Sequence, residues 1–187
     1  MRFDCDTIYY QKDVPMEDYL KDCVDVPKFL GYCRRCTNFG KIWSCPEFDF
    51  DPMDIWRNYQ NIRVIAMKIL VPEKMREKEY DAQGKTQVIT TILNDYKKEF
   101  DRYILEEESK LEGAVGLSGG SCLLCQPAAC SRQEGKPCRH PDQMRHSIES
   151  LGGNVSLTVS KYLDQKLEWI EGGRLPAHFM LVGGILW

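Results

Sequence analysis

Two groups of closely spaced cysteines constrain this chain more than any other feature of its sequence. Seven of the nine cysteines fall into the groups Cys33-x2-Cys36-x8-Cys45 and Cys122-x2-Cys125-x4-Cys130-x7-Cys138. Two cysteines separated by two residues can place both sulfurs on one metal from a tight turn, and the unit recurs in zinc and iron–sulfur sites. Because further cysteines extend each pair within a loop that contains Gly and Pro, we predict that both groups ligate metal.

The rest of the sequence favours metal binding over disulfide formation. The first six residues contain no apolar stretch, and the longest apolar run, Phe179–Trp187, is too short to span a bilayer. We therefore expect a cytoplasmic protein with no membrane partner, in which reductants keep the thiols reduced. Nine cysteines also cannot all pair within one chain.

The charge balance argues against nucleic acid as a partner. The 25 Lys and Arg residues are outnumbered by 28 Asp and Glu residues, which gives a formal net charge of −3. Proteins whose affinity depends on phosphate contacts carry an excess of positive charge. We expect the partner to be a redox protein or a small-molecule substrate.

The hydrophobic pattern predicts a single α/β domain over residues 1–187. The length, a hydrophobic content of 43% and a charged content of 28% are typical of one globular domain. The pattern predicts strands at 61–71, 114–117, 166–170 and 177–187, and helices at 16–31, 85–112, 141–151 and 154–162. We predict a small sandwich with a sheet of about four strands and helices packed on it. Residues 1–60 would hold an N-terminal helix and the first cysteine loop, and residues 61–187 an α/β core with the second loop.

The spacing of the cysteines favours an iron–sulfur cluster over zinc. Structural zinc sites often repeat the Cys-x2-Cys pair or follow it with a His pair, and neither arrangement occurs within these groups. The second group spreads four thiolates over a long loop, as expected around something larger than one ion. Backbone amides at 118–121 and the cations Arg132, Lys136 and Arg139 could offset the negative charge of cluster sulfurs. We predict one or two [4Fe-4S] clusters per chain, with zinc as the alternative.

The first group has only three closely spaced cysteines. Cys5 or Cys23 could supply a fourth ligand, although the apolar neighbours of Cys23 favour burial in a core. A site with three protein ligands can instead keep one position open for a substrate or another small ligand. The sequence leaves these alternatives open.

Other polar residues near the cysteines have ordinary structural interpretations. His140 could complete a zinc site but is expected to be a loop residue, and Asp51 before Pro52 favours a helix N-cap over acid/base chemistry. The nearby acids Glu47, Asp49 and Asp54 could likewise act as acid/base groups, but a role at the start of a helix is favoured for them too. The run Glu106–Glu108 is expected to form a solvated helix face.

The residues around the cysteines resemble a known family. The motifs are Trp43-Ser44-Cys45-Pro46, Ser118-Gly119-Gly120-Ser121-Cys122-Leu123-Leu124-Cys125, Pro137-Cys138-Arg139-His140-Pro141 and Ser147-Ile148-Glu149-Ser150-Leu151-Gly152. Together they resemble the predicted metal-binding proteins of domain of unknown function 2284, over roughly residues 30 to 187. The resemblance implies that the seven grouped cysteines ligate a metal or an iron–sulfur cluster. One departure is Glu47, where a second proline often follows Cys-Pro.

Three functions fit these expectations. The first is redox work, either electron transfer or a small reductase. The second is a zinc-stabilised interaction module without chemistry. The third is a non-redox enzyme that binds its substrate, for example in sulfur handling, at an open iron of the three-cysteine site.

Overall fold

The computed structural model describes residues 3–169 and 174–187. Within them, four strands form one antiparallel sheet in the order β1-β2-β4-β3. The strands are β1 (Thr7–Pro15), β2 (Asn61–Leu70), β3 (Val115–Leu117) and β4 (His178–Leu186). The helices are α1 (Met16–Cys23), α2 (Val26–Cys33), α3 (Pro52–Arg57), α4 (Glu73–Arg76), α5 (Ala82–Glu108) and α6 (Val155–Tyr162), with a short 3-10 helix at Ser131–Glu134.

The central strand β2 is apolar on both sides because helices cover both faces of the sheet. Its side chains alternate between the two faces, as the two-residue period of a strand requires. Ile62, Val64 and Ala66 pack in one core with residues of α1, α3 and α6. Ile65 and Ile69 pack in the other core, which α5 contributes to. The mixed α/β fold with a four-stranded sheet is therefore confirmed.

The long helix α5 covers one face of the sheet with residues spaced four apart. Ile92, Tyr96, Phe100 and Ile104 are all buried there. The helix comes close to β4 because Gly183 has no side chain. A Cβ atom at Gly183 would lie 2.2 Å from the Leu117 carbonyl oxygen and 3.1 Å from the Phe100 ring.

The prediction of the sheet was right in strand number and wrong in one strand. Residues 166–169 form no strand, and Ile170, the last residue of that predicted segment, lies outside the described residues. The fourth strand is instead β1, which pairs with β2 along its whole length. The predicted central position of β4 is confirmed, because it lies between β2 and β3.

Two helix predictions need correction. The predicted helix at 141–151 is a series of turns, in which the His146 carbonyl accepts a hydrogen bond from the Ser118 amide at 2.8 Å. The predicted helix at 16–31 is divided into α1 and α2 at Val24, which bridges to Gly153. The predicted cap of α6 is confirmed, since the Asn154 side chain accepts from the Leu157 amide at 3.0 Å.

The acidic run at the end of α5 is only partly solvated. Glu106 is exposed, but Glu107 is buried and forms ion pairs with Arg63 and Lys110. Glu108 is also largely buried and accepts two hydrogen bonds of 2.6 Å from Arg145. The expected solvated face is wrong at these two positions because cations from β2 and from the second cysteine loop reach them.

In the described part of the chain, no helix has both the length and the apolar character needed to cross a bilayer.

Candidate metal centre

The three cysteines of the first group line one cavity. Its volume is about 140 Å³, and its other lining residues are Phe39, Pro46, Gly120, Ser121, Ser147, Glu149 and Ser150. A water molecule needs only about 10–15 Å³ of such volume, and an apolar cavity of about 150 Å³ accommodates benzene. The cavity that holds the thiols of Cys33, Cys36 and Cys45 therefore has room for a group much larger than a single ion.

Local structure places these three thiols. Cys33 is the last residue of α2, which begins at the cap Asp25, whose carboxylate accepts from the Lys28 amide at 3.1 Å. The chain then turns tightly, so that the Cys36 amide donates to the Cys33 carbonyl at 2.9 Å. Gly40, at φ +69°, closes the loop by donating to the Pro46 carbonyl at 2.7 Å.

The beginning of the second cysteine loop forms one wall of this cavity. The Ser121 hydroxyl accepts from the Asn38 side chain at 2.9 Å and lies 3.5 Å from Cys45 Sγ. The next residue, Cys122, donates its amide hydrogen to Ser44 Oγ at 3.0 Å. The glycine- and serine-rich segment predicted to support the second group thus also supports the first.

Arg132 ties the two cysteine loops together. Its guanidinium donates to the carbonyls of Ile42 at 3.1 Å and Cys45 at 2.6 Å, and also to the carbonyl of Glu47. The guanidinium carbon also lies 5.1 Å from the centroid of the Trp43 ring. A planar group with several donors can bind three carbonyls at once, which an ammonium group cannot do with the same geometry.

We expect Arg132→Lys to weaken metal binding at the first group by about 10–100-fold, the usual cost of losing a residue that orients metal ligands. The reason is that Lys cannot hold the carbonyls on both sides of Cys45. Competition with a chelator measures the affinity. Arg139→Lys is the matched control, because Arg139 lies on the same loop but bonds Ala129 and Glu134 instead. Equal affinities for the two variants would contradict the role of Arg132.

The four cysteines of the second group share one loop. All four cysteines are half-buried and lie along the loop between β3 and α6. Cys138 is close enough to Cys122 to affect its pKa, and Cys138 Sγ accepts a hydrogen bond from the His140 amide at 3.4 Å. Amide donors to sulfur are a known means of tuning iron–sulfur ligands. The His140 backbone therefore contacts the group, as a loop residue does.

Three half-buried thiols have raised pKa values. Burial raises the pKa of Cys33 and Cys45, and also that of Cys122, where the Leu124 amide and Lys97 oppose the effect. At Cys45 the opposing groups are the Ser121 and Ser44 hydroxyls. Because metals bind the thiolate, metal must displace protons from these cysteines, and its apparent affinity falls as the pH decreases.

Comparison with protein families supports the interpretation of this region. Residues 20–186 match the family described as predicted metal-binding protein (DUF2284). The chain belongs to the DUF2284 family. The match includes all seven grouped cysteines and leaves Cys5 outside. Searches of curated proteins and of solved structures gave no match.

The two other cysteines of this DUF2284 protein lie away from the cavity. Cys5 is buried in the core that contains α5, and its amide donates to the Tyr96 hydroxyl at 2.7 Å. Cys23 is buried in the core on the opposite face of the sheet, as its apolar neighbours suggested. Neither residue lines the cavity of the first group.

Glu149 lines the cavity and was not among the predicted site residues. Its Oε2 atom is buried and has no hydrogen-bond partner. Burial raises the pKa of Glu149, and its own amide and the Ser147 hydroxyl oppose this shift. An unpaired buried polar atom costs about 1–3 kcal/mol. Sequence reasoning could have found Glu149 only through its place in the family motif, because it is more than one hundred residues from Cys45 along the chain.

The acidic and aromatic residues after Cys45 face a different cavity. Asp51 caps α3, as predicted, by accepting from the Met53 amide at 2.9 Å. Glu47 and Asp49 line a cavity of about 540 Å³ whose other lining residues are Trp43, Phe48, Phe50, Arg132, Met144 and His146. Phe39 is the aromatic residue that lines the cavity of the first group.

The arrangement of the thiols in the DUF2284 chain differs from a preformed single-ion site. Within residues 3–169 and 174–187, no three Cys, His, Asp or Glu side chains are positioned to hold one metal ion. Zinc requires sulfurs about 2.3 Å from one point. The thiols of the first group instead line a cavity of about 140 Å³.

Proposed function

We propose that this protein binds iron–sulfur clusters of the [4Fe-4S] type at its two cysteine groups and works in electron transfer or as a small reductase. The observation that carries the proposal is the cavity of about 140 Å³ lined by Cys33, Cys36 and Cys45. Cysteine thiolates hold such clusters, and a cavity of this size suits a cluster better than one ion. Cys122, Cys125, Cys130 and Cys138 would hold the second cluster.

The surroundings of the thiols support a redox role. A bound cluster would supply one-electron transfer, with a potential that depends on hydrogen bonds to sulfur, nearby charge and solvent exposure. The chain places Ser121 and Ser44 within 3.9 Å of Cys45 Sγ and the His140 amide at Cys138 Sγ. Cys36 is exposed, so one ligand of the first group lies at the surface where a redox partner protein can approach.

A second candidate is a non-redox enzyme that binds substrate at the first group. A neighbouring groove of about 390 Å³ shares Gly120 and Glu149 with the cysteine cavity. Phe29, Leu93, Leu167 and Met180 are among the apolar residues that line it. A small molecule with an apolar body could lie in this groove and present a thiol or anionic group to an exchangeable metal position.

Iron and sulfide analysis of protein purified without oxygen tests the proposal. We expect about eight iron and eight sulfide per chain, the content of two cubanes. Cys36→Ala is expected to lose about half of both, whereas Cys23→Ala, which changes a cysteine in the core, should keep them. Reversible reduction of the bound iron would favour redox work over the second candidate. Protein that holds zinc and no sulfide, even after growth with iron, would instead indicate a zinc-stabilised module.

A further inference from the structure

Glu149 is held in a fixed position at the cavity wall. It lies in a turn stabilised by the buried serines on either side of it: the Ser147 amide donates to Ser150 Oγ at 3.0 Å, and the Ser150 amide donates to Ser147 Oγ at 3.2 Å. The Glu149 carbonyl oxygen is also 4.0 Å from Cys33 Sγ. The turn that carries the carboxyl group is therefore rigid and in contact with the first cysteine group.

The buried Oε2 atom of Glu149 lacks the partner that a buried carboxylate requires. Buried charges in proteins are either paired with an opposite charge or coordinate a metal. The cation whose field reaches Glu149 is Lys97, but Lys97 Nζ is bound by both carboxylate oxygens of Asp101 at 2.8 Å and by Ser118 Oγ at 2.6 Å. Protonation does not resolve the problem, because the hydroxyl of a neutral carboxylic acid also requires an acceptor.

We propose that the Glu149 carboxylate is the fourth protein ligand of the group held by Cys33, Cys36 and Cys45. This inference rests on the proposed cluster site and names the residue that completes it. A carboxylate at this position gives the unpartnered oxygen a metal to bind. It also explains why a site with three close cysteines needs neither Cys5 nor Cys23.

The position of Glu149 gives this ligand a further property. Glu149 lies at the boundary between the cysteine cavity and the apolar groove, because it lines both. Iron in these clusters favours soft thiolate over hard carboxylate. A thiol that arrives through the groove therefore meets the one protein ligand that it can displace; it binds iron as a thiolate, and the proton that it loses passes to the displaced Glu149 carboxylate.

The test uses the full chain, loaded anaerobically with iron and sulfide, in wild-type, Glu149→Gln and Glu149→Asp forms. Gln keeps the size of Glu without the negative charge, and Asp keeps the carboxylate. Glu112→Gln, at an exposed position outside the cavity, is the matched control. After reduction of the protein with dithionite, the electron paramagnetic resonance signal of the first cluster is identified as the one that disappears in Cys36→Ala. Titration with 2-mercaptoethanol then follows that signal.

We expect Glu149→Gln to respond to 2-mercaptoethanol at a concentration at least about tenfold lower than wild type, since no carboxylate has to be displaced. Glu149→Asp should lie between them, and Glu112→Gln should match wild type. Mössbauer spectra of the wild type should show one iron of the first cluster distinct from the other three. Identical titrations for wild type and Glu149→Gln, or four equivalent irons, would overturn the proposal. Absence of iron and sulfide from wild type would instead refute the cluster site itself.

Discussion

Replacing Lys97 with Met is expected to lower the free energy of unfolding by about 3–5 kcal/mol, the usual cost of breaking a buried ion pair by removing one partner. The side chain of Lys97 is only 7% exposed, and that of Asp101 is 25% exposed. The variant removes the cation that pairs with the Asp101 carboxylate, which Ser118 also contacts. Chemical denaturation of the metal-free protein measures the loss.

Lys98→Met is the matched control for this prediction, because the neighbouring lysine on α5 is exposed. It should change stability by less than about 0.5 kcal/mol. The double variant Lys97→Met with Asp101→Leu should regain part of the loss, since it removes the unpaired charge. If Lys97→Met and Lys98→Met unfold at the same denaturant concentration, the buried ion pair does not stabilise the fold.

Cys125→Ala is expected to abolish the stabilisation that metal gives to the second cysteine loop. A ligand whose free concentration is a thousand times its dissociation constant stabilises a protein by about 4 kcal/mol. For a chain of this length, that corresponds to about 8–16 °C in melting temperature. The loop joins β3 to α6, so ordering it also orders the connection between the sheet and a helix that packs on one of its faces.

The informative comparison is between metal-loaded and metal-free protein. Wild type should melt at a higher temperature when loaded, whereas Cys125→Ala should keep only the part of this shift that the first cysteine group supplies. Glu112→Ala, at an exposed position, should retain the full metal-dependent shift. A full shift in Cys125→Ala would mean that Cys125 is not a ligand.

The sequence predicted the elements whose hydrophobic residues have a clear period. β2, β4 and α5 are long and bury strongly apolar residues, so the hydrophobic pattern of the sequence indicated each of them. β1 was missed because it is an edge strand whose residues Gln11, Lys12 and Asp13 are exposed. Edge strands often carry charges and proline, which blunt unwanted pairing and also remove the alternating pattern. The run Thr7-Ile8-Tyr9-Tyr10, rich in β-formers, was the available signal.

The predicted helix at 141–151 failed because tertiary contacts determine that segment. Pro141 and the residues after it are typical of a helix start. In the structure, however, Ser147 forms a β-bridge with Ser118, and the ring centroids of His146 and Phe48 are 4.9 Å apart. These partners lie far away in sequence and carry no local signal. The same limit applies to the candidate site: cysteine spacing identified the thiols, whereas Glu149 and Ser121 join Cys45 only through the fold.

The contacts between the two cysteine loops have a consequence for how the sites fill. Arg132 and the Cys122 amide belong to the second loop, but their acceptors Ile42, Cys45, Glu47 and Ser44 belong to the first. A group that orders one loop therefore lowers the entropy lost when the other loop binds its own group. Thermodynamic linkage requires that each bound group increase the affinity of the other loop by the same factor. Partial loading should thus favour chains that are either empty or doubly filled over chains that carry a single group.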